Sequence, residues 1–177
     1  MITSPSVADI ERAIRNVPDF PQPGIQFKDI TPVLADAKLF SAAIDLMIDG
    51  FNPGEVDAVV GIDARGFIFA SAAAIRLEAG FVPVRKKGKL PFKTLEQDYA
   101  LEYGKNSVAM HVDALQPGAR VLLIDDLLAT GGTAAAAVAL VEKLGATILE
   151  VSFLIELKFL NGRDRLKGSR IRSLVVY

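Results

Sequence analysis

The most chemically loaded stretch of this chain is a pair of carboxylates, Asp125-Asp126, followed by Ala129-Thr130-Gly131-Gly132-Thr133. Paired glycines let the backbone turn sharply and come close to a ligand, and two hydroxyls flank them. The alanine-rich run from Ala134 to Leu144, closed by Gly145, predicts a helix that opens at this loop. Unpaired N–H groups and the positive end of the helix dipole suit an anion such as a phosphate there. Acids beside a phosphate repel it unless the ligand offers them something else, and a sugar does. On a ribose 5-phosphate unit the loop holds the phosphate, while Asp125 and Asp126 accept hydrogen bonds from the ribose hydroxyls, directly or through a magnesium ion. Neither common nucleotide fingerprint, G-x-x-x-x-G-K-[ST] or G-x-G-x-x-G, fits the run. The plain alternative is a tight strand-to-helix turn with a threonine N-cap and no ligand.

Other residues compete for chemical roles. Asp63-Ala64-Arg65-Gly66 precedes a second helical run, and an arginine at a helix start suits a more highly charged anion; the alternative is a solvated surface arginine. Arg85-Lys86-Lys87-Gly88-Lys89 puts four cations in five residues, either a soluble sheet edge or a neutralising patch for an anion. Phe27, beside Lys28 in a proline-rich passage, reads as an anchor for its loop. Glu102 reads as a surface carboxylate. His111, the single histidine, alternates with Val108, Met110 and Val112 and so points away from the apolar face, which argues against catalysis.

These residues need elements to position them. Apolar runs predict strands near 57–62, 81–84, 121–125 and 148–155, alternating with helices near 38–48, 66–79 and 134–144. The alternation implies an α/β fold, a parallel sheet covered on both faces with ligand loops at the carboxyl ends of its strands. Val121 to Ile124 form a fully buried strand that stops at Asp125-Asp126, and the helix after Arg65 closes at Gly80. At the start, Ser6 caps a helix marked by Val7, Ile10, Ala13, Ile14 and Val17, and Pro18, Pro21, Pro23 and Gly24 then impose an irregular passage. Residues 91–98 read as a mobile loop before a hairpin of 99–104 with 107–112. Ile171 to Tyr177 reads as an edge strand, after a polar bend at 159–166.

With 177 residues, 51% of them hydrophobic, the chain makes one domain that buries roughly 70% of its unfolded surface. The 20 basic and 21 acidic residues nearly cancel, so a nucleic acid or a membrane surface is not the expected partner and a small molecule is. The absence of cysteine rules out disulfides and thiolate metal sites. The first residues, MITSPSVADIERAI, have neither the basic start nor the apolar core of a secretory signal, and no apolar run reaches ~20 residues, so the expected location is the cytoplasm.

The string VLLIDDLLATGGT resembles the signature of the type I phosphoribosyltransferases, and DDLLATGGT is most similar to the adenine phosphoribosyltransferases among them. Three further segments, in order, resemble family elements: PGIQFKDITP, VRKKGKLP and YALEYG. The resemblance implies the type I fold over residues 1–177, a central parallel sheet flanked by helices, with an N-terminal hood over about 1–35 and a catalytic lid over about 87–106. It implies transfer of a phosphoribosyl group from 5-phosphoribosyl 1-diphosphate to adenine, giving AMP and pyrophosphate with Mg²⁺, in an enzyme whose relatives are commonly homodimers. Residue by residue, Phe27 stacks on the purine, with Ile25, Gln26 and Lys28 around it; Lys28 stands where arginine is frequent. Asp63, Ala64, Arg65 and Gly66 form the pyrophosphate loop, joined by Arg85, Lys86 and Lys89. Asp125, Asp126, Leu127, Ala129, Thr130, Gly131, Gly132 and Thr133 hold the phosphoribosyl unit. Glu102 assists proton transfer at the purine, and Tyr103 packs at the site. The nearer alternative is the same reaction on hypoxanthine or guanine; a more distant one is a regulator that senses the phosphoribosyl ligand without turning it over.

Overall fold

Ser6 caps the first helix, α1 (Val7–Ala13), through a reciprocal pair of bonds: the Asp9 N–H donates to Ser6 Oγ, and the Ser6 N–H donates to Asp9 Oδ2 at 2.8 Å. The helix is shorter than its apolar spacing predicts. Val17 belongs instead to β1 (Arg15–Val17), which pairs antiparallel with β2 (Phe27–Asp29) so that Val17 lies opposite Phe27. Two more helices follow, α2 (Thr31–Ala35) and α3 (Ala37–Met47). The computed structural model describes residues 4–101 and 104–177, and the chain divides into two compact units, 1–46 and 47–177.

The second unit is built on a seven-stranded sheet. In chain order its elements are β3 (Ala58–Ile62), α4 (Gly66–Arg76), β4 (Gly80–Lys86), β5 (Thr94–Leu101), β6 (Gly104–His111), β7 (Arg120–Leu128), α5 (Gly132–Lys143), β8 (Thr147–Glu156) and β9 (Ile171–Val176). The spatial order is β5-β6-β4-β3-β7-β8-β9. Pairing is parallel from β4 through β9 and antiparallel for β6 and β5, so the expected parallel core carries a hairpin on one edge. β9 forms the opposite edge, as the sequence predicts.

Side chains alternate across the central strands, and each face has its own helix. Val60, Ile62, Val84 and Leu123 pack in one cluster with Ala137, Leu140 and Val141 of α5. On the other face Gly61 admits α4: a Cβ at Gly61 would lie 2.7 Å from Ala70 Cβ. Leu140 and Val141 are fully buried, each contributing about 1.5–3 kcal/mol by leaving water.

Three further element boundaries differ from expectation. Helix α4 ends at Arg76, and Glu78 at φ 53° takes the left-handed position, leaving Gly80 to open β4. β7 does not stop at the acid pair but runs to Leu128, because β8 keeps pairing with it out to Leu128–Glu156. The stretch expected as a mobile loop at 91–98 is mostly β5, which pairs with β6 from Thr94–His111 to Leu101–Gly104. The glycine end of α5 is as expected, with Gly145 at φ 76° after a Leu144 cap.

Candidate active site

The carboxyl ends of β3, β4 and β7 converge on a cavity of about 310 Å³ lined by Asp63, Ala64, Arg65, Arg85, Lys86, Asp125, Asp126 and Thr133, with Tyr99, Asn106 and Val108 from the hairpin. A smaller space of about 80 Å³ adjoins Asp125 and is bounded by Leu127 to Ala134. These two spaces bring together the acid pair, the glycine loop, the arginine loop and part of the basic run, which lie apart in sequence.

The glycine loop owes its shape to Gly131, which precedes α5 with φ 78°, a conformation that side chains other than glycine rarely adopt. No side chain caps α5 through a hydrogen bond, so its first-turn N–H groups are left to other acceptors.

Asp125 and Asp126 sit within β7, three and two residues before its end at Leu128, with the Asp126 N–H donating to Asp125 Oδ1 at 2.9 Å. Burial raises the Asp125 carboxyl well above the usual carboxylate range, and the neighbouring Asp126 charge pushes the same way. Asp126 is raised by burial too, but Arg65 opposes the shift, its Nε 2.9 Å from Asp126 Oδ2. Gly66 permits the arrangement: a Cβ there would lie 2.5 Å from Asp125 Oδ1.

The cations are oriented by acids. Arg85 donates from Nε to Asp63 Oδ2 at 2.8 Å and from Nη1 to the Lys89 carbonyl at 3.0 Å. Lys89 is therefore tied to the site through its backbone, whereas Lys86 lines the cavity directly. The Asp63–Ala64 peptide is cis.

The hood residues lie in the first unit. There Phe27 packs edge-to-face on Phe20 with ring centroids 5.1 Å apart, Lys28 Nζ donates to Asn16 Oδ1 at 2.6 Å, and the Ile25 carbonyl accepts from the Phe20 N–H; Gln26 is exposed beside them. Glu102 and Tyr103 lie outside the described residues. His111 accepts at Nε2 from the Phe92 N–H at 3.3 Å and is not among the residues lining either space.

Sequence reasoning missed Tyr99 and Asn106, which face each other across the β5–β6 ladder. Their signal was their place in the hairpin, which the sequence reading put at 99–104 and 107–112 without giving Tyr99 a role and with Asn106 left in the turn. It also missed Gly162, which packs against the glycine loop from a distant part of the chain.

A doubly covered α/β sheet with two strand-to-helix loops and an acid pair near its carboxyl edge is the frame of this site, and the family model described as "Phosphoribosyl transferase domain" matches residues 28–167, which makes the chain a phosphoribosyltransferase-type domain. The chain is 57% identical over 162 residues to the adenine phosphoribosyltransferase of Acidothermus cellulolyticus, covering 92% of each. Among solved structures, the adenine phosphoribosyltransferase of Rhodothermus marinus superposes with a TM-score of 0.92 at 50% identity, covering 97% of this chain and 98% of that one. The Saccharomyces cerevisiae enzyme, solved with adenine and an imino-altritol bisphosphate, gives 0.90 at 39% identity, with 95% and 97% covered. The chain belongs to the adenine phosphoribosyltransferases.

Proposed function

We propose that this protein transfers the 5-phosphoribosyl group from 5-phosphoribosyl 1-diphosphate to adenine, forming AMP and pyrophosphate, a purine-salvage reaction. The observation that carries this reading is the convergence of the acid pair, the arginine loop and the start of α5 on one cavity. As the bond from the anomeric carbon to the diphosphate breaks, the ribose becomes oxocarbenium-like and the leaving group gains negative charge. Preorganised cations lower that barrier most, because they need no reorganisation at the moment of reaction. Arg65, Arg85 and Lys86 serve this end, with Asp63, Ala64 and Gly66 shaping the loop and Lys89 steadying Arg85. Asp125 and Asp126 hold the ribose hydroxyls and favour positive charge at the anomeric carbon. The phosphate lies against Leu127 and Ala129 to Thr133. Phe27 stacks on adenine with Ile25, Gln26 and Lys28 around it, while Glu102 handles the purine proton and Tyr103 closes the site.

Magnesium suits the donor chemistry. Among the described residues no group of three or more His, Cys, Asp or Glu is placed to hold a metal, so an ion would rest on substrate oxygens and water with Asp125 and Asp126 nearby, a habit of Mg²⁺. When bound, it neutralises diphosphate charge. The working location is the cytoplasm; among the described residues no helix is long and apolar enough to cross a membrane. The working form is a homodimer, as the family resemblance implies. The 1–177 chain works as a single catalytic domain, with a hood over about 1–35 and a lid over about 87–106.

The test is pyrophosphate release from 5-phosphoribosyl 1-diphosphate and Mg²⁺ with adenine, hypoxanthine, guanine and orotate offered separately. Release with adenine alone is expected. Release with another base instead would move the specificity to that base, and release with none would leave a ligand sensor.

A further inference from the structure

After β8 the chain makes two short 3-10 turns, Lys158–Leu160 and Gly162–Arg165, before it enters β9. By resemblance Glu156 to Phe159 would lie near the base, but nothing in the type of Gly162 or Arg163 suggests a role in phosphoribosyl transfer. Their placement does, because the second turn lies directly against the glycine loop.

Gly162 is buried, and a Cβ on it would lie 2.2 Å from the Ala129 carbonyl oxygen and 2.9 Å from Leu128 Cδ1. From the other side, a Cβ on Gly131 would lie 2.3 Å from the Gly162 carbonyl oxygen and 3.1 Å from its carbonyl carbon. Two backbones without side chains therefore touch, one of them the loop at the start of α5. Neither contact can be relieved by swinging a side chain, since in both the atom met is backbone.

The turn is itself pinned at several points. Asn161 takes a left-handed conformation, φ 52°, that sends the chain into the second turn. The Leu157 N–H donates to the Leu128 carbonyl and the Lys158 N–H to the Tyr177 carbonyl, each at 2.9 Å. Leu166, 3% exposed, anchors the far end in the cluster that also holds Leu140 of α5. Between these anchors Arg163 grips Glu156: Nε donates to Oε1 and Oε2 at 2.9 and 3.0 Å, and Nη2 donates to Oε2 at 2.7 Å and to Ser173 Oγ at 3.3 Å. Glu156 is buried and ends β8 opposite Leu128, the residue just before the glycine loop. A forked, charge-assisted clamp of this kind fixes direction as well as distance.

We propose that Gly162 and Arg163 are positioning residues for phosphate binding: Arg163, clamped on Glu156, holds the 161–165 turn as a backstop against which the loop from Ala129 to Thr133 keeps its shape. The inference rests on the reading that this loop takes the 5-phosphate. Neither residue touches the ligand; each acts through the loop. A misplaced loop loses contacts to the phosphate and leaves those to the base and the sugar hydroxyls largely intact.

The test compares AMP with adenosine, which differ by the 5-phosphate alone, by equilibrium titration against the full-length protein. Three variants are used: Gly162→Ala, Arg163→Met, and Arg163→Met combined with Glu156→Gln. The wild type should prefer AMP strongly. In each variant the Kd for AMP should rise about tenfold or more while that for adenosine stays within about twofold, because only phosphate contacts depend on the loop. The double variant matters because Arg163→Met alone leaves a buried carboxylate unpaired. If loss of AMP preference persists once Glu156 is neutral, the clamp itself is responsible; if preference returns, the single-variant effect was charge burial and the proposal falls. Should Gly162→Ala fail to fold, the two Arg163 variants decide alone. A wild type that prefers AMP while every folded variant keeps that preference overturns the backstop but leaves the phosphate loop standing. A wild type that does not distinguish AMP from adenosine overturns both.

Discussion

Gly66→Ala separates stability from chemistry at a single methyl group. Gly66 opens α4 and its φ is unexceptional, so alanine carries no backbone penalty there and is the better helix former by up to about 1 kcal/mol. The added Cβ meets Asp125 Oδ1 at 2.5 Å, Asp125 Cα at 3.2 Å and the Ile124 carbonyl at 3.2 Å. The first contact must open by about 0.9 Å to reach ordinary van der Waals distance, and overpacking of this kind costs about 1–3 kcal/mol. Set against the helix gain, the net loss of stability is about 0–3 kcal/mol, which leaves a typical domain of 5–15 kcal/mol folded. Activity should suffer more. The displaced group is a carboxylate assigned to the ribose, and a shift approaching 1 Å costs up to about 100-fold in rate. The assay pairs a thermal melt with kcat/KM for 5-phosphoribosyl 1-diphosphate at saturating adenine. Gly61→Ala serves as a control, since its Cβ would crowd Ala70 and Phe81 instead of the acid pair. The expected result is a folded Gly66→Ala enzyme with kcat/KM down about 10- to 100-fold, and a Gly61→Ala enzyme that loses stability in preference to activity. A folded Gly66→Ala variant within about threefold of wild type would refute the placement of Asp125 at the reacting sugar.

Two further substitutions bear on the same site. Glu102→Gln should lower kcat more than it raises the KM for adenine, and an effect on affinity alone would remove Glu102 from the chemistry. Arg65→Met should also change the pH profile. Arg65 holds Asp126 below the value that burial alone would set, so its loss raises that carboxyl further, and the charge needed for the ribose hydroxyls disappears at a higher pH as the solution is acidified. The acid limb of kcat/KM, which reports the free enzyme, should therefore move to higher pH; a limb that stays in place or moves down contradicts the pairing.

What could be read in the sequence was whatever local chemistry dictates. The run VLLIDDLLATGGT announced a strand, an acid pair, a glycine turn and a helix start because each residue type suits its own position without help from elsewhere. Ser6 with Asp9 announced a helix cap for the same reason. The misread elements are those decided by partners. Residues 94–98, TLEQD, carry little apolar alternation and become a strand because β6 lies alongside and α5 packs near, Lys143 Nζ reaching Gln97 Oε1 at 2.7 Å. β7 continues past two acids because β8 continues to pair with it. The contact of Gly131 with Gly162 spans 31 positions of sequence, and neither glycine alone distinguishes close packing from an ordinary turn.

The hairpin attached to β4 has a mechanical consequence. Among the described residues β6 meets β4 at two residue pairs, Arg85–Ala109 and Lys86–Val108, with one more tie where the Lys87 N–H reaches the Ser107 carbonyl. Beyond Ser107 the ribbon continues for three more pairs, Tyr99–Asn106, Ala100–Lys105 and Leu101–Gly104, and among the described residues no strand other than β5 and β6 pairs with them. It is a cantilever whose fulcrum is the strand that carries Arg85 and Lys86, and its reach is about 10 Å at ~3.4 Å per pair. That length works as a ruler. Adding one residue to each arm would lengthen the ribbon by ~3.4 Å, and adding two would lengthen it by ~7 Å.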